Sequence, residues 1–329
     1  MDEKVIRAAL APLEPLLSDP DVQEILVDAP DRVLVERRGQ LEVSGVIFAS
    51  PEAVRAAIEA ALSLGGTSFA PGQTVADTRL SDGTRVLGVL PPTAVGGPYL
   101  VLRKFFTRAM TWEKLFSYGS ITRAGYELLM SAVRAPVNIL VTGGNGSGKT
   151  TLLNLLAESA PAHERLVVVG EAEELPVTHP RRIHLAASSQ ANLSVSDLLS
   201  TAAKMRPDWI VFSELRGAEA LPLLQIFSLG VSGMTSLHAA SAVEALARLE
   251  ALCLMANLGL GLAEIRAQIV SAFRLITCQR RFPNGARRLT EVVEVLGLED
   301  GRYLLQPLMH DNAETGQLER TAAKPSWEG

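Results

Sequence analysis

Aromatic residues are scarce in this chain. Trp, Tyr and Phe make up 5% of its 329 residues against 47% hydrophobic residues in all, so a large core can form but must be aliphatic, built of Leu, Val, Ile and Ala. The same scarcity leaves few rings on which successive bases of a single strand could stack. Positive charge is also short. Thirty-one Lys and Arg face 36 Asp and Glu, for a net charge of -5, which argues against a nucleic-acid binder working by bulk electrostatics; no nucleic-acid partner is expected. Two cysteines, Cys253 and Cys278, exclude a disulfide framework. They lie in apolar, helical-looking stretches without metal-ligand spacing and read as buried, reduced thiols of a cytosolic protein. Long hydrophobic runs are missing too. The most apolar stretch, residues 251–262, contains Asn257 and is too short to span a bilayer. The charged start Met1-Asp2-Glu3-Lys4 is followed by no signal-peptide core. The expectation is a cytoplasmic protein, at most peripheral to a membrane.

Glycine, by contrast, is concentrated where it carries chemistry. Gly143-Gly144-Asn145-Gly146-Ser147-Gly148-Lys149-Thr150 fits G-x-x-x-x-G-K-[ST], the phosphate-binding P-loop. The apolar run 137–141 before it reads as a strand, and 151–157 after it as the opening of a helix. That order is what the chemistry needs. The glycines let backbone N–H groups turn toward phosphate oxygens, and the helix N-terminus adds its partial positive charge there. Lys149 is placed to reach the β- and γ-phosphates, the Thr150 hydroxyl to coordinate Mg²⁺, and Thr151 to continue the loop into the helix.

The chain divides into two patterns. Residues 1–105 read as a small α+β, PAS-like domain with a largely antiparallel sheet. Strand-like runs stand at 24–28 and 32–36, and a helix is expected over 51–64 with Ser50 as N-cap and Pro51 in the first turn. Ser81-Asp82-Gly83 reads as a hairpin turn between strands, and 99–103 as a further strand. Residues 106–122 read as a linker. Over 123–309 strands alternate with helices, which implies an α/β, RecA-like ATPase domain with a mostly parallel sheet. Its strands are expected at 139–141, 165–169, 209–212 and 234–237, its helices at 241–254 and 262–272, and a late hairpin at 287–297 and 302–308. The tail, 310–329, is polar and reads as frayed.

A P-loop alone does not say what is done with the phosphate. Trp209-Ile210-Val211-Phe212-Ser213-Glu214 is an apolar strand ending in an acid, which delivers Glu214 to the carboxyl edge of the sheet beside the loop. There it can hold Mg²⁺ through water or polarise the attacking water. Glu171, in Gly170-Glu171-Ala172-Glu173-Glu174, and His238, in Thr235-Ser236-Leu237-His238-Ala239, follow other strands of the same sheet; either is also an ordinary residue at a strand end or helix start. Arg79, Arg85 and Arg103 lie on strands of the first domain, solvated residues unless an assembly carries them to a nucleotide.

These segments together resemble the type II/type IV secretion ATPases, and most closely the branch that drives Tad pili, from about Asp19 to about Glu294. The stretch from Asp77 to Val86, then Leu102-Arg103-Lys104-Phe105, is similar to the family's arginine-bearing sheet. Met205-Arg206-Pro207-Asp208 and Glu214-Leu215-Arg216-Gly217-Ala218-Glu219-Ala220 resemble its extended Walker B segment. The resemblance implies a homo-hexameric motor that hydrolyses ATP with Mg²⁺, docks on an inner-membrane platform protein and drives pilin assembly, retraction or secretion. It implies Glu214 and Glu171 near the hydrolytic water and metal, His238 as a γ-phosphate sensor, and Arg85 and Arg103 on phosphates. The chain departs from the family's pattern at three places. Gly170 stands where the family has the first of two adjacent acids, Ser213 replaces a glycine, and Ala240 an asparagine. These departures imply slow hydrolysis, or an ATP-binding subunit working beside a paralogous motor. A RecA-like nucleic-acid motor and a small-molecule kinase are the other classes a P-loop admits; the charge disfavours the first, and no segment demands the acceptor pocket and lid of the second.

Overall fold

In the first of two compact units, residues 1–109, the hydrophobic pattern switches early from helix to strand. The computed structural model describes residues 3–37, 39–104, 110–170, 175–186, 193–312 and 318–328. Helices α1 (Glu3–Leu10) and α2 (Glu14–Ser18) lead into β1 (Val22–Ala29), β2 (Arg32–Arg37) and β3 (Gln40–Val43); α3 (Pro51–Leu64) follows, then β4 (Val75–Arg79), β5 (Arg85–Val89) and β6 (Tyr99–Arg103). The strands form one sheet, ordered β3-β2-β1-β6-β5-β4, and all its pairs are antiparallel. Ser50 caps α3 by accepting from Ala53 N, with Pro51 in the first turn. The buried face of α3, Val54, Ala57, Ile58, Ala61 and Leu62, joins Ile25, Val27, Val86, Leu100 and Leu102 of the sheet in one core. Each fully buried Val, Ile or Leu side chain contributes about 1.5–3 kcal/mol, so Val54, Ile58 and Leu62 are the α3 residues that hold the helix to the sheet most strongly.

The second unit, residues 110–329, is layered differently. It contains α4 (Trp112–Ser117), α5 (Arg123–Arg134), β7 (Ile139–Gly143), α6 (Lys149–Glu158), β8 (Leu166–Val169), β9 (Arg182–Leu185), α7 (Val195–Lys204), β10 (Trp209–Leu215), α8 (Ala220–Ser228), β11 (Ser232–Leu237), α9 (Ala242–Leu254) and α10 (Leu262–Ala272). Four strands close it: β12 (Leu275–Arg281), β13 (Arg287–Glu299), β14 (Arg302–Asp311) and β15 (Leu318–Arg320). One nine-stranded sheet runs β15-β14-β13-β12-β7-β11-β10-β8-β9. From β12 to β9 its pairs are parallel; from β12 to β15 they are antiparallel. Central strands bury both faces, as helix-covered parallel sheets require. Ile139, Val141, Val168 and Val211 pack with α5 and α6, while Leu140, Val167, Ile210 and Phe212 pack with α7 to α10.

The structure corrects several expectations. Within the stretch that reads as a linker, α4 is a capped helix whose Leu115 belongs to the core of the second unit. The tail is not frayed where it is described. Leu318 is buried, β15 pairs with β14, and Trp327 Nε1 donates to Ser131 Oγ at 3.0 Å. Ser326 N donates to Glu294, a fully buried carboxylate whose charge is met by Arg274 Nε at 2.9 Å; the tail's polar composition is what makes these bonds. Strands β9 and β12 and helices α7 and α8 are additions to the expected elements. Cys278 sits on β12, not on a helix; it and Cys253 are free and buried, and desolvation raises both thiols, that of Cys253 to about 12.

Candidate functional site

The P-loop occupies residues 143–150, between the end of β7 and the start of α6. Gly143 has φ +152°, and a Cβ there would lie 2.3 Å from Ser147 Oγ and 2.4 Å from the Gln279 carbonyl oxygen. No side chain fits, because one of those atoms is backbone. Gly148 precedes α6 in the left-handed region, a conformation that glycine adopts at no steric cost. Thr150 is exposed and Thr151 half-buried in the first turn of α6.

Glu214 reaches this loop through a bulge. In the β10–β11 pairing Phe212 faces Thr235 but Leu215 faces Leu237, so Ser213 and Glu214 together oppose the single residue Ser236. Bulges re-aim side chains and free ladder groups, and here the Ser236 hydroxyl donates to the Ser213 carbonyl at 2.7 Å. Three basic groups converge on the Glu214 carboxylate: His238 Nε2 at 3.0 Å and Lys149 Nζ at 3.7 Å from Oε1, and Arg216 Nε at 2.7 Å from Oε2. Lys149, 6% exposed, also donates to the Gly144 carbonyl at 3.1 Å and lies 3.3 Å from His238 Nδ1. A neutral His238 protonated on Nε2 satisfies both its contacts, donating to Glu214 and accepting from Lys149. The electrostatics agree: burial first, then the Lys149 charge, lowers the His238 pKa. Burial likewise lowers that of Lys149, against the pull of Glu214.

Gly170 and Ser213 are sterically linked. Gly170, just past β8, has φ +147°, and a Cβ on it would fall 2.6 Å from Ser213 Oγ. Two of the three departures from the family pattern are thus one feature, a serine occupying the space that a side chain at 170 would take. Glu171 lies outside the described residues.

Arg85 and Arg103 belong to the first unit. The register sets Arg79 opposite Arg85 and Arg85 opposite Arg103, with Glu24 opposite Arg103. Three arginines therefore stand in one row across β4, β5 and β6, with neighbours ~5 Å apart at Cβ. The row ends at a carboxylate, Glu24 Oε1, 3.2 Å from Arg103 Nε. Within the second unit the structure brings Lys149, Glu214 and His238 together. It adds three residues that sequence reasoning does not reach, Gln279, Arg281 and Arg287, on the β12–β13 hairpin. The signal is present, an apolar run ending in Gln-Arg-Arg before a Pro-Asn-Gly turn, but β12 neither alternates nor shows helical spacing.

The same two-part fold, with a large mostly parallel sheet, is found in solved structures of other proteins. The pilus retraction motor PilT with bound ADP superimposes with a TM-score of 0.61 at 18% identity, over 95% of this chain and 85% of that one, a likeness of fold. Residues 7–306 match the family described as Type II/IV secretion system protein, and the chain belongs to that family. A Mycobacterium tuberculosis protein named for conjugal transfer is 34% identical over 324 residues, 94% of this chain and 90% of its own. The type IV secretion system protein PtlH of Bordetella pertussis is 32% identical over 314 residues, 85% and 91% of the two chains. Neither relative bears a Tad pilus name.

Proposed function

We propose that this chain is an ATP-hydrolysing motor subunit, working as a homo-hexamer at the cytoplasmic face of an inner-membrane platform protein to drive secretion, conjugative transfer or pilus dynamics. The observation that carries the reading is the Glu214 carboxylate, held by Lys149, His238 and Arg216 beside a P-loop that only glycine can build. Family membership and the names of the relatives support the secretion role; the Tad branch is supported only by the sequence resemblance. Among the described residues no helix is long and apolar enough to cross a membrane, which suits a subunit that docks on one.

Lys149 is a counter-ion of Glu214. When the triphosphate enters, Lys149 moves its charge to the β- and γ-phosphates, and Glu214, still held by His238 and Arg216, accepts a hydrogen bond from the attacking water with the lone pair that Lys149 faced. His238, neutral and bonded through Nε2, holds the orientation of Glu214 and reports the loss of the γ-phosphate. The donor set fits Mg²⁺ brought in with substrate. Thr150 offers an exposed hydroxyl, both Glu214 oxygens are already engaged, and no group of three His, Cys, Asp or Glu stands ready to hold a metal among the described residues. Thr150 would hold the ion directly and Glu214 through water; the ion supplies neutralisation of phosphate charge. Arg85 and Arg103, carried by the first unit, supply further positive charge to the phosphates.

One observation favours a second reading, an ATP-binding subunit that hydrolyses weakly beside a paralogous motor. Gly170 carries no carboxylate and can take no side chain while Ser213 fills its space. Steady-state ATPase activity against protein concentration separates the two. A motor completed by assembly gives activity that rises more than linearly and falls at least about 100-fold in Glu214→Gln, while Lys149→Ala abolishes nucleotide binding with the fold retained. Weak turnover insensitive to Glu214→Gln would establish the second reading, and ATP binding retained in Lys149→Ala would defeat both.

A further inference from the structure

The hairpin of β12 and β13 leans on the P-loop with charges that the proposed mechanism does not use. Strand β12 lies parallel to β7, with Gln279 opposite Gly143. The chain turns over residues 282–286, where Phe282 N donates to the Ala286 carbonyl and Gly285 N to that of Phe282. It returns with Arg288 opposite Arg280 and Arg287 opposite Arg281. Side chains alternate along a strand and directly opposed residues share a face, so the four arginines divide into two pairs. Arg280 and Arg288 both lie over the Phe282 ring, at 5.4 and 4.1 Å from its centroid. Arg281 and Arg287 share the other face with Gln279, and that face meets the loop. A Cβ at Gly146 would lie 3.0 Å from Arg281 Nη1; one at Gly148 would lie 3.4 Å from Gln279 Oε1 and 3.8 Å from Arg287 Cδ.

Two buried polar atoms beside these arginines point to an anion. Gln279 is 9% exposed and Ser147 1%, yet Gln279 Oε1 and Ser147 Oγ have no hydrogen-bond partner. A buried polar atom left unbonded costs about 1–3 kcal/mol. A phosphate would relieve both, through the Ser147 hydroxyl as donor and through the Gln279 amide turned to present its NH₂.

We infer that Arg281, Arg287 and the Gln279 amide form an intrachain clamp on the α- and β-phosphates of a nucleoside di- or triphosphate in the P-loop. The inference rests on the nucleotide reading given above and deepens it. The loop backbone cradles the α- and β-phosphates, and Lys149 takes the β and γ. The clamp therefore grips the part of the ligand that ATP and ADP share, and it does so with residues of the second unit alone.

The test is titration of the full chain with fluorescent ATP and ADP analogues, with thermal melting in parallel. The variants are Arg281→Ala, Arg287→Ala and their double, Arg281→Lys with Arg287→Lys, and Arg280→Ala with Arg288→Ala as the matched charge loss on the opposite face. The double alanine variant should weaken ATP and ADP equally, by about 10- to 100-fold. The lysine pair should fall between it and wild type, because charge survives but the planar fork does not. The matched pair should bind as wild type does. Wild-type ADP affinity in the double alanine variant overturns the clamp, as does equal weakening in the matched pair. If the double alanine variant does not fold, unchanged ADP affinity in the folded lysine pair overturns it. A wild-type chain that binds no nucleotide, or a Lys149→Ala variant that binds it normally, sinks the underlying reading and the clamp with it.

Discussion

The two sheets of this protein hold positive charge in opposite ways. In the second unit Lys149 is buried and met by the Glu214 carboxylate of β10, the Gly144 carbonyl of its own loop and the His238 imidazole just past β11. In the first unit Arg79, Arg85 and Arg103 are lined up by the strand register, like beside like, with Arg103 62% exposed at its side chain. A buried charge must bring its partners with it, since desolvation otherwise drives it neutral. A row of like charges at a solvated face is tolerated, because water screens it, and it costs only about 0.2–1 kcal/mol per opposed pair. The first arrangement is finished within its own unit. The second lies largely at the solvated face of its sheet, where the row ends on the Glu24 carboxylate beside Arg103.

Breaking the first arrangement should cost most. Gly143→Ala places a methyl group against the Gln279 backbone oxygen and Ser147, and overpacking with backbone strain should remove on the order of 3 kcal/mol of stability. A chemical denaturation midpoint equal to that of wild type would show that the loop is not closed as described. The first unit should behave in reverse. Arg85→Gln removes the middle charge of the row, so turnover should fall about tenfold or more while the melting temperature stays level or rises slightly. A fall in stability with unchanged turnover would make Arg85 a structural residue and remove the row from the nucleotide reading.

The smallest effect is a pH dependence. Burial and the Lys149 charge, with Arg248 and Arg216 beyond, outweigh the Glu214 carboxylate and hold His238 below its ordinary value of 6.5. The unfolded chain therefore accepts a proton that the folded chain resists. This group's contribution to stability is complete above about pH 6.5 and is lost as the pH falls through the lowered folded value. On acidification from about pH 7.5 to 5.5 the wild type should lose melting temperature more steeply than His238→Asn, which has nothing to protonate there. Parallel curves would show that His238 is not held neutral by Lys149.

Much of the site is legible in the residues alone. The loop at 143–150 is legible as a motif, because a run of glycines closing in Lys-Thr between an apolar strand and a helix matches the phosphate-loop pattern, and the structure places it between β7 and α6. Glu214 and His238 are legible as residues following apolar runs, since a parallel sheet carries every strand end to one edge. The hairpin arginines are not, because β12 is a run of five buried residues followed by two arginines and matches neither period. The tail is equally opaque, because composition cannot show that Glu294, far back in the chain, waits for Ser326.

What the sequence determined by itself is therefore local: the phosphate loop, the capped helix α3, the hairpin turn at Ser81-Asp82-Gly83 and the division into two patterns, each written in residues that are neighbours along the chain. Tertiary structure decided the rest. The bulge that turns Glu214 to Lys149, the exclusion between Gly170 and Ser213, the register that aligns three arginines, and the approach of Arg281 to Gly146 all join residues from different segments of the chain. Whether such residues meet depends on pairing and packing distances that no single segment encodes.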